Sequence, residues 1–225
     1  IRHYKKKKIK FYQASSSEMF GKSKPPQNEK TLFQPRSVYA ISKVFAYHSV
    51  IHYRDAYALH ACNGILFNHE SPRRGVNFVT KKIVQGLVRI KQGKQKMLIL
   101  GNLYSRRDWG HANDYVESMW NILQQKKAND FVIATKTSNS VKDFINICAK
   151  KLNIKLNWKN KGLKEIAINK LTNKTIIKVD QKYFRETEVD NLVGDFSKAR
   201  RLLKWKPKYS FDKLIDDMIN NELND

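Results

Sequence analysis

Apolar residues along the chain switch between runs of period two and stripes of period 3.6, which predicts an α/β protein. Residues 9–14 read as a strand that runs into the polar stretch Ser15-Ser16-Ser17-Glu18. A loop with Pro25, Pro26 and Pro35 follows. A helix is then predicted from Val38 to about Tyr57, with Ile41, Val44, Phe45 and Ile51 near one stripe. Residues 59–67 are apolar and β-branched enough for a buried strand. A polar turn over 68–75 opens a helix carrying Val79, Ile83, Leu87 and Ile90, with Gly93 placed to stop it. Residues 97–100 read as a short strand. A helix near 111–125 puts Val116, Met119, Trp120 and Leu123 on one face, and residues 131–134 form another buried strand.

Further along, Ser140 with Asp143 three residues on is a capping-box start for a helix bearing Phe144, Ile145, Cys148 and Leu152. Residues 154–158 and 176–179 are strand candidates separated by a Lys/Asn-rich loop. Helices at 197–203 and 211–223 close the chain, the second capped by Ser210. No internal repeat is present. A strand-helix alternation thus gives way to a more irregular C-terminal part.

Composition narrows the class. Of 225 residues, 41% are hydrophobic and 11% aromatic, enough to bury a core and too much for global disorder. No apolar run approaches the roughly 18–20 residues of a membrane span, and no apolar stretch of the secretory type follows the opening residues. Cys62 and Cys148 sit in apolar segments and read as small buried hydrophobes of a cytoplasmic protein. The first residue is Ile, which suggests a fragment. Forty-four Lys+Arg against twenty Asp+Glu leave +24. That balance suits a polyanion partner, but the lysines are dispersed, only Lys5 to Lys8 form a run, and no nucleic-acid-reading motif appears. The charge therefore reads as compositional, and no nucleic-acid, membrane or metal partner is expected.

The glycines are informative by their spacing. None of the nine forms a G-x-G-x-x-G turn between a strand and a helix, so the chain carries no pyrophosphate-cradling loop.

The candidate reactive pair is Tyr39 with Lys43, which share a helical face at i,i+4. An ammonium beside a phenol favours the ionised form that general-base work requires. The Y-x-x-x-K spacing occurs three times, at Tyr4/Lys8, Tyr39/Lys43 and Tyr209/Lys213, and context singles out the second. Ser15-Ser16-Ser17-Glu18 follows a strand, where an open α/β sheet gathers its chemistry. Its hydroxyls can bond a reacting oxygen and its carboxylate can carry a proton, although the same residues also suit an ordinary polar turn. Downstream, Asn68-His69-Glu70-Ser71-Pro72-Arg73-Arg74-Gly75 packs His, Glu and two Arg into a strand-to-helix turn suited to an anion, or to a solvated loop. Arg106-Arg107-Asp108-Trp109-Gly110-His111 again sets cations beside a helix start.

These runs together, with Phe11-Tyr12-Gln13-Ala14 before the serines, Asn63-Gly64-Ile65-Leu66-Phe67 before Asn68, Ala112 after His111, and Thr187-Glu188-Val189-Asp190, resemble the GDP-mannose 4,6-dehydratase family of extended short-chain dehydrogenase/reductases. Five motifs in order, from about Phe11 to the C-terminal helix, carry the resemblance. The family is longer at its N-terminus, where its glycine-rich NADP turn lies. The resemblance places this chain as its C-terminal two-thirds. It implies a partial Rossmann-like, doubly wound parallel sheet with a smaller C-terminal α/β substrate-binding domain. Residues 1–70 would belong to an incomplete NADP-binding domain, to which the strand and helix near 111–135 return. Residues 71–225 would mainly bind the nucleotide sugar.

The same resemblance implies roles. Tyr39 would take the proton of the mannose 4-hydroxyl, Lys43 would hold the nicotinamide ribose, and Glu18 would remove the C5 proton and help expel the 6-hydroxyl. Ser16 stands where the family has Thr, assisting proton transfer at O4. His69 and Arg74 match positions that contact NADP. Asn68, Lys82, Arg107, Arg185 and Glu188 match positions around the GDP of GDP-mannose. Dimers or tetramers are implied, and so is inactivity of the chain by itself. Departures from the family are Val38 for Pro, Tyr104 for an acidic residue, Glu186 for Pro, and Ser16 itself, which lacks the methyl that restricts a Thr rotamer. A nucleotide-sugar epimerase or reductase, which would not need Glu18, and a basic nucleic-acid-binding protein on a degenerate enzyme fold are the alternatives.

Overall fold

The computed structural model describes residues 9–184, 187, 189 and 191–224. In chain order, β1 (Lys10–Ser16) passes through a 3-10 turn to α1 (Val38–Tyr57), β2 (His60–Leu66), β3 (Asn68–Glu70), α2 (Val79–Lys91) and β4 (Leu98–Leu100). Next come β5 (Arg106–Arg107), β6 (Trp109–His111), α3 (Ala112–Gln124), β7 (Asp130–Ile133), β8 (Asn139–Ser140) and α4 (Val141–Lys151). The remainder is β9 (Leu156–Lys159), β10 (Ile166–Asn169), β11 (Thr175–Val179), β12 (Asn191–Leu192), α5 (Ser197–Leu203) and α6 (Phe211–Asn224). No helix of the described residues is long and apolar enough to cross a membrane.

The chain divides into two compact units. The first comprises Ile1–His69, Asp108–Ser138 and Asn191–Lys208. Its sheet is parallel in the order β1-β2-β7, with Tyr12 opposite Cys62 and Ile65 opposite Val132. Parallel strands need crossovers, and α1 supplies the one between β1 and β2. One face of the sheet packs Cys62, Leu66, Phe131 and Ile133 against Tyr115 and Ile122 of α3 and against Ala199, Leu203 and Trp205. Residues 191–208 therefore belong to this unit, where the sequence reading returned only the strand and helix near 111–135 to the first portion and gave the rest of 71–225 mainly to the second. Backbone bonds between Gln27 and Val193 and between Asp195 and Gln27, 2.8 Å each, fasten the returning segment. Gly194 lets it approach. A Cβ there would stand 2.3 Å from that of Ala134 and 2.7 Å from the Phe67 ring.

Two helical faces differ from the sequence reading. On α1 the buried residues are Ala40, Tyr47 and Val50, while Val38 is 83% exposed and Phe45 76%. On α3 they are Asp114, Tyr115, Ser118 and Ile122, and Trp120 of the predicted face is 66% exposed. The inward polar groups have partners. The Asp114 carboxylate accepts from the Lys208 amide at 3.0 Å and its backbone carbonyl from the indole of Trp205 at 2.9 Å, and Ser118 donates to the Tyr115 carbonyl at 2.6 Å.

The second unit comprises Glu70–Arg107, Asn139–Asp190 and Tyr209–Asp225. Its sheet has the order β4-β11-β10-β9, with β4 parallel to β11 and the other pairs antiparallel. β10 lies inside the stretch read from sequence as a Lys/Asn-rich loop. Helices α2, α4 and α6 pack on one another, burying Ile83, Leu87, Phe144, Ile145, Leu214 and Met218. The capping box of α4 is present on both sides: Ser140 accepts from the Asp143 amide at 3.0 Å, and Asp143 accepts from the Ser140 amide at 2.8 Å. Gly93 follows α2 with φ of 73°, the left-handed stop that the sequence suggests.

Candidate active site

The end of β1 and the start of α1 bring four predicted residues into one neighbourhood of the first unit. β1 ends at Ser16, whose hydroxyl accepts from the Glu18 amide at 3.2 Å and caps the following turn. That turn leaves Glu18 half-buried. α1 begins at Val38 because Ser37 caps it, accepting from the Ala40 amide at 3.1 Å. One turn in, the Lys43 ammonium donates to the Ala14 carbonyl at 2.8 Å and lies 5.6 Å from the centroid of the Tyr39 ring. A single lysine thus touches the catalytic candidate on its own helix and the backbone just before Ser16. Tyr39 is 54% exposed.

Two further predicted residues belong to the same unit. His69 donates from Nδ1 to the Phe67 carbonyl, 2.9 Å away, and its ring stacks on Tyr115 at 4.8 Å. That bond fixes the orientation of the ring. Asn68 holds its Oδ1 buried and without a hydrogen-bond partner. Burying an amide oxygen unpaired costs about 1–3 kcal/mol, so this atom is an acceptor awaiting a donor.

The other predicted residues lie in the second unit, and their contacts are more structural than the sequence suggested. Arg74 pairs with the buried carboxylate of Glu70 at 2.9 Å and lies 3.4 Å over the Phe78 ring. Glu70 also accepts from the Thr80 hydroxyl at 2.6 Å, and burial pushes its carboxyl above the usual range despite those bonds. Arg107 is buried and donates to the carbonyls of Arg106 at 2.9 Å and Val189 at 2.6 Å, bracing the chain at Val189. Lys82 lies 3.9 Å over the ring of Tyr183. Both line a cavity of about 260 Å³ with Gln85, Gln95, Met97 and Leu98, none of which the sequence reading singled out. Arg185 and Glu188 lie outside the described residues.

The sequence reading also passed over Asp108. It is fully buried, and its two carboxylate oxygens take four donors: the Thr135 amide at 2.8 Å, the Thr135 hydroxyl at 2.6 Å, the Lys136 amide at 2.9 Å and the Gly194 amide at 3.2 Å. Its place between two cations and an aromatic in sequence gave no sign of that burial. Tyr104, noted as a departure, donates to Glu165 at 2.7 Å.

Comparison with known proteins bears on the family and the fold. The sequence profile described as GDP-mannose 4,6 dehydratase matches residues 1–218. The GDP-mannose 4,6 dehydratase of Dictyostelium discoideum is 50% identical over 218 residues, covering 96% of this chain and 61% of that protein. GDP-mannose 4,6 dehydratase 1 of Arabidopsis thaliana is 53% identical over 215 residues, 96% of this chain and 55% of its own length. The chain therefore spans somewhat more than half the length of these curated relatives. Among solved structures, RMD from Pseudomonas aeruginosa complexed with NADPH superposes with a TM-score of 0.81 at 19% identity, over 96% of this chain and 67% of that one. A dTDP-glucose 4,6-dehydratase from Bacillus anthracis, in complex with NAD, gives 0.79 at 19% identity over 100% and 64%. Identity that low speaks for the fold, a Rossmann-like α/β architecture. Half-identical sequence along nearly the whole chain speaks for more, and the chain belongs to the GDP-mannose 4,6-dehydratase family.

Proposed function

We propose that this chain carries the proton-transfer residues and the nucleotide-sugar-binding part of a GDP-mannose 4,6-dehydratase that uses NADP. The observation that carries the reading is the Lys43 ammonium, bonded to the Ala14 carbonyl and beside the Tyr39 ring. It ties the Tyr39 helix to the strand end that presents Ser16 and Glu18.

Residues here suit a nicotinamide nucleotide in part. Lys43 spends one of its three donors on Ala14 and keeps the others for a ribose. Asn68 has a buried acceptor to fill, and the His69 ring and the Arg74 guanidinium are the further polar groups that this reading assigns to the cofactor. No glycine-rich cradle for a pyrophosphate occurs in the 225 residues. When bound, NADP supplies the hydride acceptor and donor.

In this reading Tyr39, beside the Lys43 ammonium, accepts the proton of the mannose 4-hydroxyl as C4 becomes a ketone. Ser16 hydrogen-bonds O4. The ketone acidifies the C5 proton, Glu18 removes it, and the same carboxyl group delivers a proton to the departing 6-hydroxyl, which leaves as water. Asn68, Lys82, Arg107, Arg185 and Glu188 hold the GDP portion of the substrate. The protein works in the cytoplasm as a homo-oligomer. The apolar residues Val38, Ile41 and Phe45 along the outer face of α1 support self-association.

The reading is tested with the chain fused behind the N-terminal portion of a curated relative. With NADP and GDP-mannose the fusion forms a 4-keto product, and Tyr39→Phe abolishes it. A fusion that binds GDP-mannose but forms the product equally well with Phe at 39 overturns the assignment.

A further inference from the structure

We infer that Asn63 and Asp130 are positioning residues that set the strand end carrying Ser16 and Glu18 against the helix carrying Tyr39 and Lys43. The inference rests on the reading above for the roles of those four residues.

Asn63 is fully buried in the middle of β2, between apolar neighbours. An amide there costs several kcal/mol in transfer unless every polar atom is matched. Its Oδ1 accepts from the Ser15 hydroxyl at 3.1 Å, while its Nδ2 donates to Asp130 Oδ1 at 2.9 Å. The Asn63 backbone amide reaches the same oxygen at 3.1 Å. Arg54 pairs with that oxygen at 2.7 Å, and the Tyr47 hydroxyl stands 3.5 Å from Oδ2. Burial and the Asp130 charge push the Tyr47 phenol up, which keeps it a donor.

The topology of this node is its significance. Tyr47 and Arg54 both come from α1. Tyr47 follows Lys43 by four residues and Tyr39 by eight, so the three form one stripe of the helix. Ser15 is the residue before Ser16, and the residue before Ser15 is Ala14, whose carbonyl takes Lys43. Two consecutive residues of β1 are therefore held, one directly by α1 and one through Asn63 and Asp130. A slide of α1 by one residue would move it 1.5 Å along its axis and break both fastenings together. Stability alone does not explain the choice of groups. A buried ionic cluster is often no more stabilising than apolar residues of the same shape, and its better-attested use is to specify one arrangement.

Native-state hydrogen exchange on the 225-residue chain tests this without cofactor or substrate, so its outcome is independent of whether the chain dehydrates GDP-mannose. Two variants are compared with wild type: Asn63→Leu, which keeps the volume and removes the amide, and Ser15→Ala, which removes one hydroxyl and keeps the fold. The amides of Glu18 and Phe20 report the strand end, and those of Phe131 and Ile133 report global opening. Each variant is expected to speed exchange at Glu18 and Phe20 at least tenfold more than at Phe131 and Ile133, and to shift the side-chain nitrogen resonance of Lys43. Should Asn63→Leu fail to fold, Ser15→Ala decides. Equal acceleration at all four amides, or none, with Lys43 unmoved, means that the pair is merely structural and overturns the proposal.

Discussion

Replacing Asp108 by Ala removes the acceptor of four donors on two segments of the first unit, Thr135 and Lys136 on one and Gly194 on the other. Each buried donor left unpaired costs about 1–3 kcal/mol, and admitted water repays part of that. Four bonds to one buried carboxyl group are lost together, and a net loss of about 3–5 kcal/mol is expected. Asp108→Asn keeps an oxygen for Thr135 but turns an NH2 group toward the amides of Lys136 and Gly194. About 2–3 kcal/mol is expected there. The assay is urea unfolding followed by Trp109 and Trp205, both buried in this unit. pH supplies an independent check. Burial outweighs the donated bonds and pushes the Asp108 carboxyl from 3.8 up to about 6. A raised carboxyl pKa adds stability that is complete below the unfolded value and lost as pH rises through the folded one. Wild type therefore gains on Asp108→Asn as pH falls from about 6 to about 4, by about 2–3 kcal/mol. A loss below 1 kcal/mol for Asp108→Ala, or a gap to the Asn variant that is flat with pH, would refute this reasoning.

Three other outcomes follow from the same structure. Phe45→Glu puts a charge on the exposed face of α1, and sedimentation should show oligomers converted to monomers; an unchanged mass would place self-association elsewhere. The 225 residues by themselves should turn over no GDP-mannose for want of a pyrophosphate cradle, and stoichiometric NADP carried through purification would contradict that. Duplex DNA should bind at micromolar Kd or weaker at physiological salt, within the non-specific range. Tight binding with a steep salt slope would show that the lysines form a site.

What the sequence disclosed was local, and what it concealed was long-range. The bounds of α1, the Ser140 box of α4 and the Gly93 stop depend on groups within a turn or so of one another, and they were legible. The buried faces of α1 and α3 were not. Periodicity finds an apolar stripe, but Ile41, Phe45 and Trp120 show that such a stripe can face outward. The opposite face is buried because Tyr47, Asp114 and Ser118 find polar partners there. β10 was hidden by lysines on both sides, and Trp205 gives no local sign of joining the first unit. At the candidate site, Tyr39 and Lys43 were readable because helical spacing pairs them. The Ser15 and Asn63 side chains meet across 48 residues, and Asn63 and Asp130 across 67, so one asparagine in an apolar run was the only clue.

Glu18 separates a dehydratase from enzymes that use the Tyr39/Lys43 pair for oxidation or reduction alone, because expelling the 6-hydroxyl requires a proton donor that those reactions do not. The direct measurement is the rate of 4-keto product formation from GDP-mannose by the fusion, wild type against Glu18→Gln, with nucleotide-sugar binding followed separately. Glutamine keeps the shape and cannot shuttle a proton, and general acid-base assistance is worth about 10² to 10⁴ in rate. The rate should fall by that factor, about 3–5 kcal/mol in barrier, with GDP-mannose affinity unchanged. Dehydration at the wild-type rate with Gln at position 18 would contradict the account.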